Sequence, residues 1–387
     1  MKYKYQLILL GNNQELFNSI KISLANRFDE LKLIGDLLKI ITIDNISEYS
    51  GNQPTYVIYA GHKKNLDANT LKVLKEQKHY GNVILPIYIS SFDDEMPDEL
   101  KNQNGLPLEN NINRICNLIL EGFELLRKNR KIFISYKRSE SSNVAIQLYE
   151  ALERNNFDVF LDTHSIDKGE EFQEELWHRM TDCDVVLMLN SKGFLESKWC
   201  KYELEKAHLK RIGIVHLIWP DNDFQDFAQL AHSIKLANSD FDSCIITNLK
   251  NDRLKKNSVS HIINEVESVR ARNLAARQDA LITEFTQAAN DNKVEVNLQF
   301  SRYITENLSN GNRRVYIPTI GVPQSINCFN SERLIKKIEK GEVDSIHLIY
   351  DEMSIRDHWL EHLDWLNNYL KVQTIKKLNF NKWFSLS

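Results

Sequence analysis

From Gln6 to Trp219, short runs of β-branched and aromatic residues alternate with helical periods, and this alternation restricts the chain to parallel sheets with crossover helices. In the first 128 residues the strand segments are Gln6–Leu10, Lys39–Ile43, Tyr56–Tyr59 and Val83–Ile89. Between the first two, Leu16, Ile20, Leu24 and Phe28 recur every four residues and predict a helix with one core-facing stripe. The turn Gly11-Asn12-Asn13 is of the kind that can hold a phosphate, but without further glycines it reads as an ordinary strand-to-helix turn. A helix near Ile112–Leu126 leads into Lys128-Asn129-Arg130, a domain boundary.

The pattern then repeats. Strand Lys131–Tyr136 precedes a helix with Val144, Leu148 and Leu152 on one face, and strand Asp158–Leu161 precedes a loop and a helix around Phe172–Met180. Strand Asp184–Asn190 precedes a helix carrying Glu203, and Gly213–Trp219 reads as a fifth strand, stopped by Pro220. Five strands separated by helices predict a doubly wound sheet, whose ligand sites lie beyond the C-terminal ends of the strands. Ser135, Asp162 and Ser191 fall there.

At 387 residues the chain exceeds a single ordinary core. The reading gives three α/β parts: an N-terminal domain over 1–128, a central domain over 129–275 and a smaller C-terminal domain over 276–387. Residues Ser258–Asn290 read as mostly helical, with Ile262, Val266, Val269, Leu274, Leu281 and Phe285 as the apolar stripe. Arg270, Arg272 and Arg277 are interspersed with Glu265, Glu267 and Asp279, so this helix reads as a solvated or interdomain face and not a nucleic-acid surface. The last part shows strands Arg314–Ile317, Ser345–Tyr350 and Val372–Leu378, with helices near Ser331–Ile338 and Ile355–Tyr369.

Hydrophobic content of 42% and aromatic content of 10% are those of a folded protein. A net charge of −4 argues against direct nucleic-acid binding by the chain as a whole. The five cysteines are scattered, with no Cys-x-x-Cys pair, so neither a disulfide framework nor a cysteine zinc site is expected. Without an apolar run of about 18 residues, no membrane span or signal peptide is expected, and the reading is cytoplasmic.

Four segments of the central part form an ordered set: Phe133-Ile-Ser-Tyr-Lys-Arg138, the loop Asp162-Thr-His-Ser-Ile-Asp-Lys-Gly-Glu-Glu-Phe172, the apolar strand Val185–Leu189, and Phe194-Leu-Glu-Ser-Lys-Trp-Cys-Lys-Tyr-Glu-Leu204. In this order they resemble the Toll/interleukin-1 receptor (TIR) domain family, over roughly residues 130 to 275. The resemblance implies a flavodoxin-like domain with a five-stranded parallel sheet. It also implies either a signalling scaffold or an enzyme, an NAD+ nucleosidase that cleaves NAD at the nicotinamide–ribose bond by hydrolysis or cyclisation.

In the enzymes a Glu four residues after a Trp is catalytic, which implies Glu203 with Trp199. Such a minimal site is chemically sufficient. Nicotinamide leaves a cationic precursor as a neutral amine, so no general acid is needed, and positive charge gathers on the ribose as in glycoside hydrolysis. One carboxylate near that ribose stabilises the charge and holds the sugar hydroxyls. By the same resemblance Phe133, Ser135, Tyr136, Lys137, Arg138, Asp162 and Trp199 line the substrate cleft. The loop Thr163–Phe172, with Asp167 and Gly169 as its functional positions, closes the site or meets the next subunit. Lys137 stands where many family enzymes carry Arg, which weakens bidentate phosphate contact without removing the charge.

NAD would be the substrate, with no cofactor and no metal required. Among the function classes, the resemblance points to bacterial immune effectors active in antiphage defence, held inactive until an activating ligand or partner engages the flanking domains, and self-associating through their TIR domains. The alternative is a non-enzymatic TIR scaffold. One competing motif, His358-Trp-Leu-Glu361-His362, spells the H-x-x-E-H pattern of some zinc hydrolases, but little chain remains to supply a third ligand, and the histidines read as polar residues on a helix packed through Trp359, Leu363 and Leu366.

Overall fold

The computed structural model describes residues 5–31, 37–51, 53–108, 112–123, 125–161, 178–192, 194, 212–220, 222, 231–243, 252–299, 302–338, 342–353 and 355–386. The chain divides into two compact units, Met1–Lys128 and Asn129–Ser387. Among the described residues, no helix is long and apolar enough to cross a membrane.

The first unit is built on strands β1 (Tyr5–Gly11), β2 (Leu38–Ile41), β3 (Thr55–Ala60), β4 (Val83–Tyr88) and β5 (Leu106–Pro107), in the order β2-β1-β3-β4-β5. Every pairing is parallel. Parallel strands covered on both faces must be apolar throughout, and Leu7, Ile8, Leu9 and Leu10 are all buried. Helix α1 (Gln14–Glu30) buries the stripe Leu16, Ile20, Leu24 and Phe28, and Asn13 caps it by accepting the Leu16 N–H at 3.1 Å. Gly11 has φ +111°, and a Cβ there would lie 2.3 Å from the Ala60 carbonyl oxygen. This glycine is therefore required for close strand approach. Helix α2 (Ala68–His79) adds Val73 and Leu74 to the core around Ile8 and Leu10. The short helix α3 (Phe92–Glu95) follows β4, and α4 (Ile112–Gly122) ends the unit with Ile115, Ile119 and Leu120 buried.

Glu95 organises the turn after β4. Its carboxylate accepts the N–H groups of Ile89, Ser90 and Ser91 and the Ser90 hydroxyl, at 2.6 to 3.1 Å. Burial alone would raise this carboxyl, but the hydrogen bonds outweigh it and hold the pKa down from 4.5 to about 2. A carboxyl depressed in the folded state stabilises the fold above its unfolded pKa and loses that contribution as the pH falls toward its folded pKa. Between about pH 4.5 and pH 2 the first unit is expected to lose on the order of 3 kcal/mol from this group. Chemical denaturation of the wild type and of Glu95→Gln across that range measures it. A variant with the same acid sensitivity as the wild type would refute the assignment.

In the second unit, β6 (Lys131–Tyr136), β7 (Asp158–Leu161), β8 (Val185–Asn190), β9 (Gly213–Ile218) and β10 (His232–Lys235) form a sheet in the order β10-β9-β8-β6-β7. All four pairings are parallel. This is the five-stranded flavodoxin-like arrangement expected for the central domain, with one correction. Gly213–Ile218 is the fourth strand in sequence, and the fifth is His232–Lys235. The sequence His-Ser-Ile-Lys carries no apolar run because this is a half-buried edge strand. On one face, Ile132, Ile134 and Tyr136 of β6 and Leu187 and Leu189 of β8 pack against helix α5 (Arg138–Arg154) through Val144, Leu148 and Leu152. On the other face, Phe133, Val186 and Met188 pack with Met180, Phe194 and Ile214.

A helix of 36 residues, α6 (Lys256–Asp291), continues the unit. It runs unbroken through position 275, where the sequence reading set a domain limit. Its first half packs Val259, Ile262, Val266 and Val269 into the central core. Its second half packs Leu281, Ile282, Phe285 and Ala289 into the C-terminal core, with Tyr316, Ile349, Phe380 and Phe384. The polar face differs from a solvated one. Arg270 is fully buried and donates from Nε to Asp184 at 2.8 Å, and Glu267, also fully buried, pairs with Arg130. Arg277 donates to the carbonyls of Cys183 and Thr181 at 2.9 and 3.1 Å. Arg272 is exposed. The partner carboxylate at position 184 lies 86 residues away in sequence, so no local pattern could reveal the pair.

The C-terminal sheet is mixed. Strands β11 (Val296–Leu298), β12 (Ile304–Asn307), β13 (Arg313–Pro318), β14 (Val343–Tyr350) and β15 (Val372–Lys376) lie side by side in that order, antiparallel as far as β13 and parallel from there on. The two short antiparallel strands carry too little apolar alternation to be read from sequence. Helices α7 (Ser325–Ile338), α8 (Asp357–Leu366) and α9 (Phe380–Leu386) complete the domain. On α8, Leu363 is buried with Trp359 and Leu366 against it, while His358, Glu361 and His362 are exposed.

Candidate functional site

In the central sheet the chain runs from β6 outward to β7 and then returns to β8 on the other side of β6. Such a reversal, beyond the C-terminal ends of β6 and β8, is where doubly wound sheets bind ligands. Alternation along β6 decides which side chains can serve it. Phe133 has no exposed surface and stacks on Phe160 at 5.4 Å, within the core of one face. Tyr136 is buried in the core of the opposite face. Ser135, on the Phe133 side, is buried near the strand end.

Lys137 and Arg138 form the transition from β6 to α5. Lys137 is the residue before the helix; its carbonyl accepts the N–H groups of Glu140 and Ser141 and its ammonium pairs with Glu140 at 2.6 Å. Arg138 is exposed on the first turn. The amino-terminal end of α5 thus lies beside this reversal, where the helix dipole favours an anion. Two basic side chains and a helix start are arranged there around the end of one strand.

At the ends of β8 and β9 the structure groups Ser191, expected from its place after a strand, with Asn190 and Asn222, which the sequence reading had not singled out. Asn222 donates to the Asn190 carbonyl and the Ser191 carbonyl, each at 3.0 Å, and to Asn190 Oδ1 at 3.2 Å, tying together the loops after β8 and β9. The Trp219 N–H donates to the Asn190 carbonyl at 3.1 Å. Asn190 Nδ2, Ser191 Oγ and the Trp219 indole N–H are buried and have no hydrogen-bond partner among the described residues. Unsatisfied buried polar groups are costly, and their grouping at the strand ends suits a site that receives a polar ligand. One row deeper, His216 of β9 is level with Met188 of β8 and Ser233 of β10. Burial depresses its pKa to about 4, so it is neutral near pH 7. The signal that could have found these residues is their position, immediately at the ends of apolar strands.

Asp162, the loop Thr163–Phe172 with Asp167 and Gly169, Trp199 and Glu203 lie outside the described residues. Among the described residues, Ser135, Lys137, Arg138 and Ser191 of the expected strand-end positions lie at the ends of β6 and β8, and Asn190 and Asn222 join them.

The five parallel strands and their order define a flavodoxin-like domain. Residues 132–245 match the family model of the TIR domain, so the central region of this chain is a TIR domain. A curated relative, the 2' cyclic ADP-D-ribose synthase BtTIR of Bacteroides thetaiotaomicron, is 26% identical over 133 residues, covering 32% of this chain and 46% of that protein. The match thus spans about half the length of the relative. Among solved structures, the C-terminal domain of glucosamine-fructose-6-phosphate aminotransferase from Francisella tularensis aligns with 71% of this chain and 84% of its own, at 9% identity and a TM-score of 0.20, too low to carry an argument.

Proposed function

We propose that the TIR domain cleaves NAD at the nicotinamide–ribose bond, releasing nicotinamide and ADP-ribose or a cyclic form of it. The observation that carries this reading is the match of residues 132–245 to the TIR domain together with the likeness to a TIR protein named as a cyclic ADP-ribose synthase. Glu203 acts as the catalytic carboxylate and Trp199 stacks on a flat ring of the substrate. Lys137, Arg138 and the start of α5 receive the diphosphate, while Ser135, Asp162, Asp167 and Gly169 shape the ribose side. Phe133 and Tyr136 support these contacts from the two cores below. Incubating the purified full chain with NAD and following nicotinamide release by chromatography tests the reading. No release at micromolar protein, with intact fold and with any trigger supplied, would leave the non-enzymatic scaffold as the better account.

In this reading the protein is a cytoplasmic effector of bacterial antiphage defence, restrained until a ligand or partner engages the flanking parts. A constitutive NAD-cleaving enzyme would exhaust its own cell, and residues 1–128 form a separate compact unit available for such control. Activity also requires self-association through Thr163–Phe172. A chain beginning at Asn129 keeps the second unit whole and is expected to cleave NAD faster than the untriggered full chain, with specific activity that rises with concentration. Turnover and light scattering on both chains over a hundredfold dilution provide the check. Equal activity of the two would remove the first unit as the restraint, and flat specific activity from a monomer would remove the need for assembly.

A further inference from the structure

We infer that the C-terminal domain contains a second binding site, for a neutral, hydroxyl-rich ring of the pentose type. A cavity of about 150 Å³ opens where β13, β14 and β15 end, against the side of α6. These are the three parallel strands of the mixed sheet, and the C-terminal edge of parallel strands is where α/β sheets bind small molecules. A cavity of this size holds one five- or six-membered ring.

The chemistry of its walls selects the ligand. Lys377, just after β15, lies between two carboxylates, 2.7 Å from Glu284 of α6 and 3.3 Å from Asp351 after β14. A metal ion is disfavoured, because the lysine ammonium already stands between the carboxylates. An anion is disfavoured too, because both carboxylates face it. What suits a carboxylate–ammonium–carboxylate row is a ligand whose groups both donate and accept, so that vicinal hydroxyls donate to Glu284 and Asp351 and accept from Lys377. Leu281 and Ile320 also line the cavity and offer apolar surface for the C–H face of a sugar.

The site also touches the joint between the two domains of this unit. Thr181 and Arg277 line the same cavity, and Arg277 grips the Thr181 and Cys183 carbonyls just ahead of β8. The adjoining Asp182 accepts the Val322 N–H at 3.1 Å and pairs with Lys131 of β6. A ligand in the cavity therefore rests on the turn through which the C-terminal domain meets the TIR sheet.

The inference is independent of NAD cleavage, and its test uses binding. D-ribose is titrated into the full chain and followed by saturation-transfer NMR, with glycine and inorganic phosphate as comparison ligands. Binding of D-ribose by the wild type, and by Glu203→Gln, together with at least tenfold weakening in Glu284→Gln and in Asp351→Asn, is the expected result. Both positions are half-exposed, so these isosteric changes spare the fold. Failure of D-ribose to bind, tighter binding of glycine or phosphate, or ribose affinity unchanged in the two cavity variants would each overturn the proposal. Ribose affinity lost only in Glu203→Gln would place binding in the TIR domain and overturn it as well.

Discussion

Glu203→Gln is expected to lower nicotinamide release from NAD by about 10²–10³-fold, the usual consequence of removing one preorganised electrostatic partner from a developing charge. In the proposed mechanism the bond to nicotinamide breaks with charge accumulating on the ribose, and this carboxylate is the group that stabilises it. The amide that replaces it has the same shape without the charge. The change should therefore fall on kcat and leave folding stability within about 1 kcal/mol. Nicotinamide release under saturating NAD, beside a thermal melt of the same samples, separates the two effects. Comparable turnover in the variant would take Glu203 out of the mechanism.

The largest effect on stability is expected at Asp184. With Arg270 fully buried and held at 2.8 Å, Asp184→Ala leaves a guanidinium in the interior without its carboxylate. Breaking a buried pair in this way costs about 3–5 kcal/mol, because the remaining charge is neither solvated nor paired. Replacing both members by apolar residues of similar volume, Asp184→Leu with Arg270→Met, should recover most of that loss. Denaturant unfolding of the wild type, Asp184→Leu, Arg270→Met and the double variant forms the cycle, with Asp184→Ala measured beside it. A single Asp184→Ala variant of wild-type stability would show that the pair does not fasten α6 to the sheet. A double variant as unstable as the single one would mean that the site depends on these ions for more than their mutual charge.

These two positions show what a linear reading reaches and what it does not. The strands β1, β3, β6, β8 and β9 were legible because strands buried on both faces are largely apolar along their length, and such runs stand out between helical periods. The edge strand His232–Lys235 was not, because a half-covered strand needs no such run, and the hairpin Val296–Asn307 was not, because its strands are only three and four residues long and polar in part. Candidate site residues were legible where a strand stops: Ser135, Lys137 and Arg138 end β6 on the page as in the fold. Ser191 was legible in the same way, but Asn190 and Asn222 were not, since their grouping depends on loops after two different strands meeting through the Asn222 amide.

The sequence by itself determined the α/β class, the parallel order of the central elements and the TIR-like motif set, because periodicity and short motifs are local properties of the chain. Only the tertiary structure decided the fate of the charges. Glu267, Arg270 and Arg277 look alike on a helical wheel, yet one meets Arg130, one meets Asp184 and one meets two carbonyls ahead of β8. In the same way, Lys377, Glu284 and Asp351 lie far apart along the chain and converge at the end of one sheet. An ion's cost or benefit depends on what surrounds it in three dimensions, and sequence spacing carries no record of that.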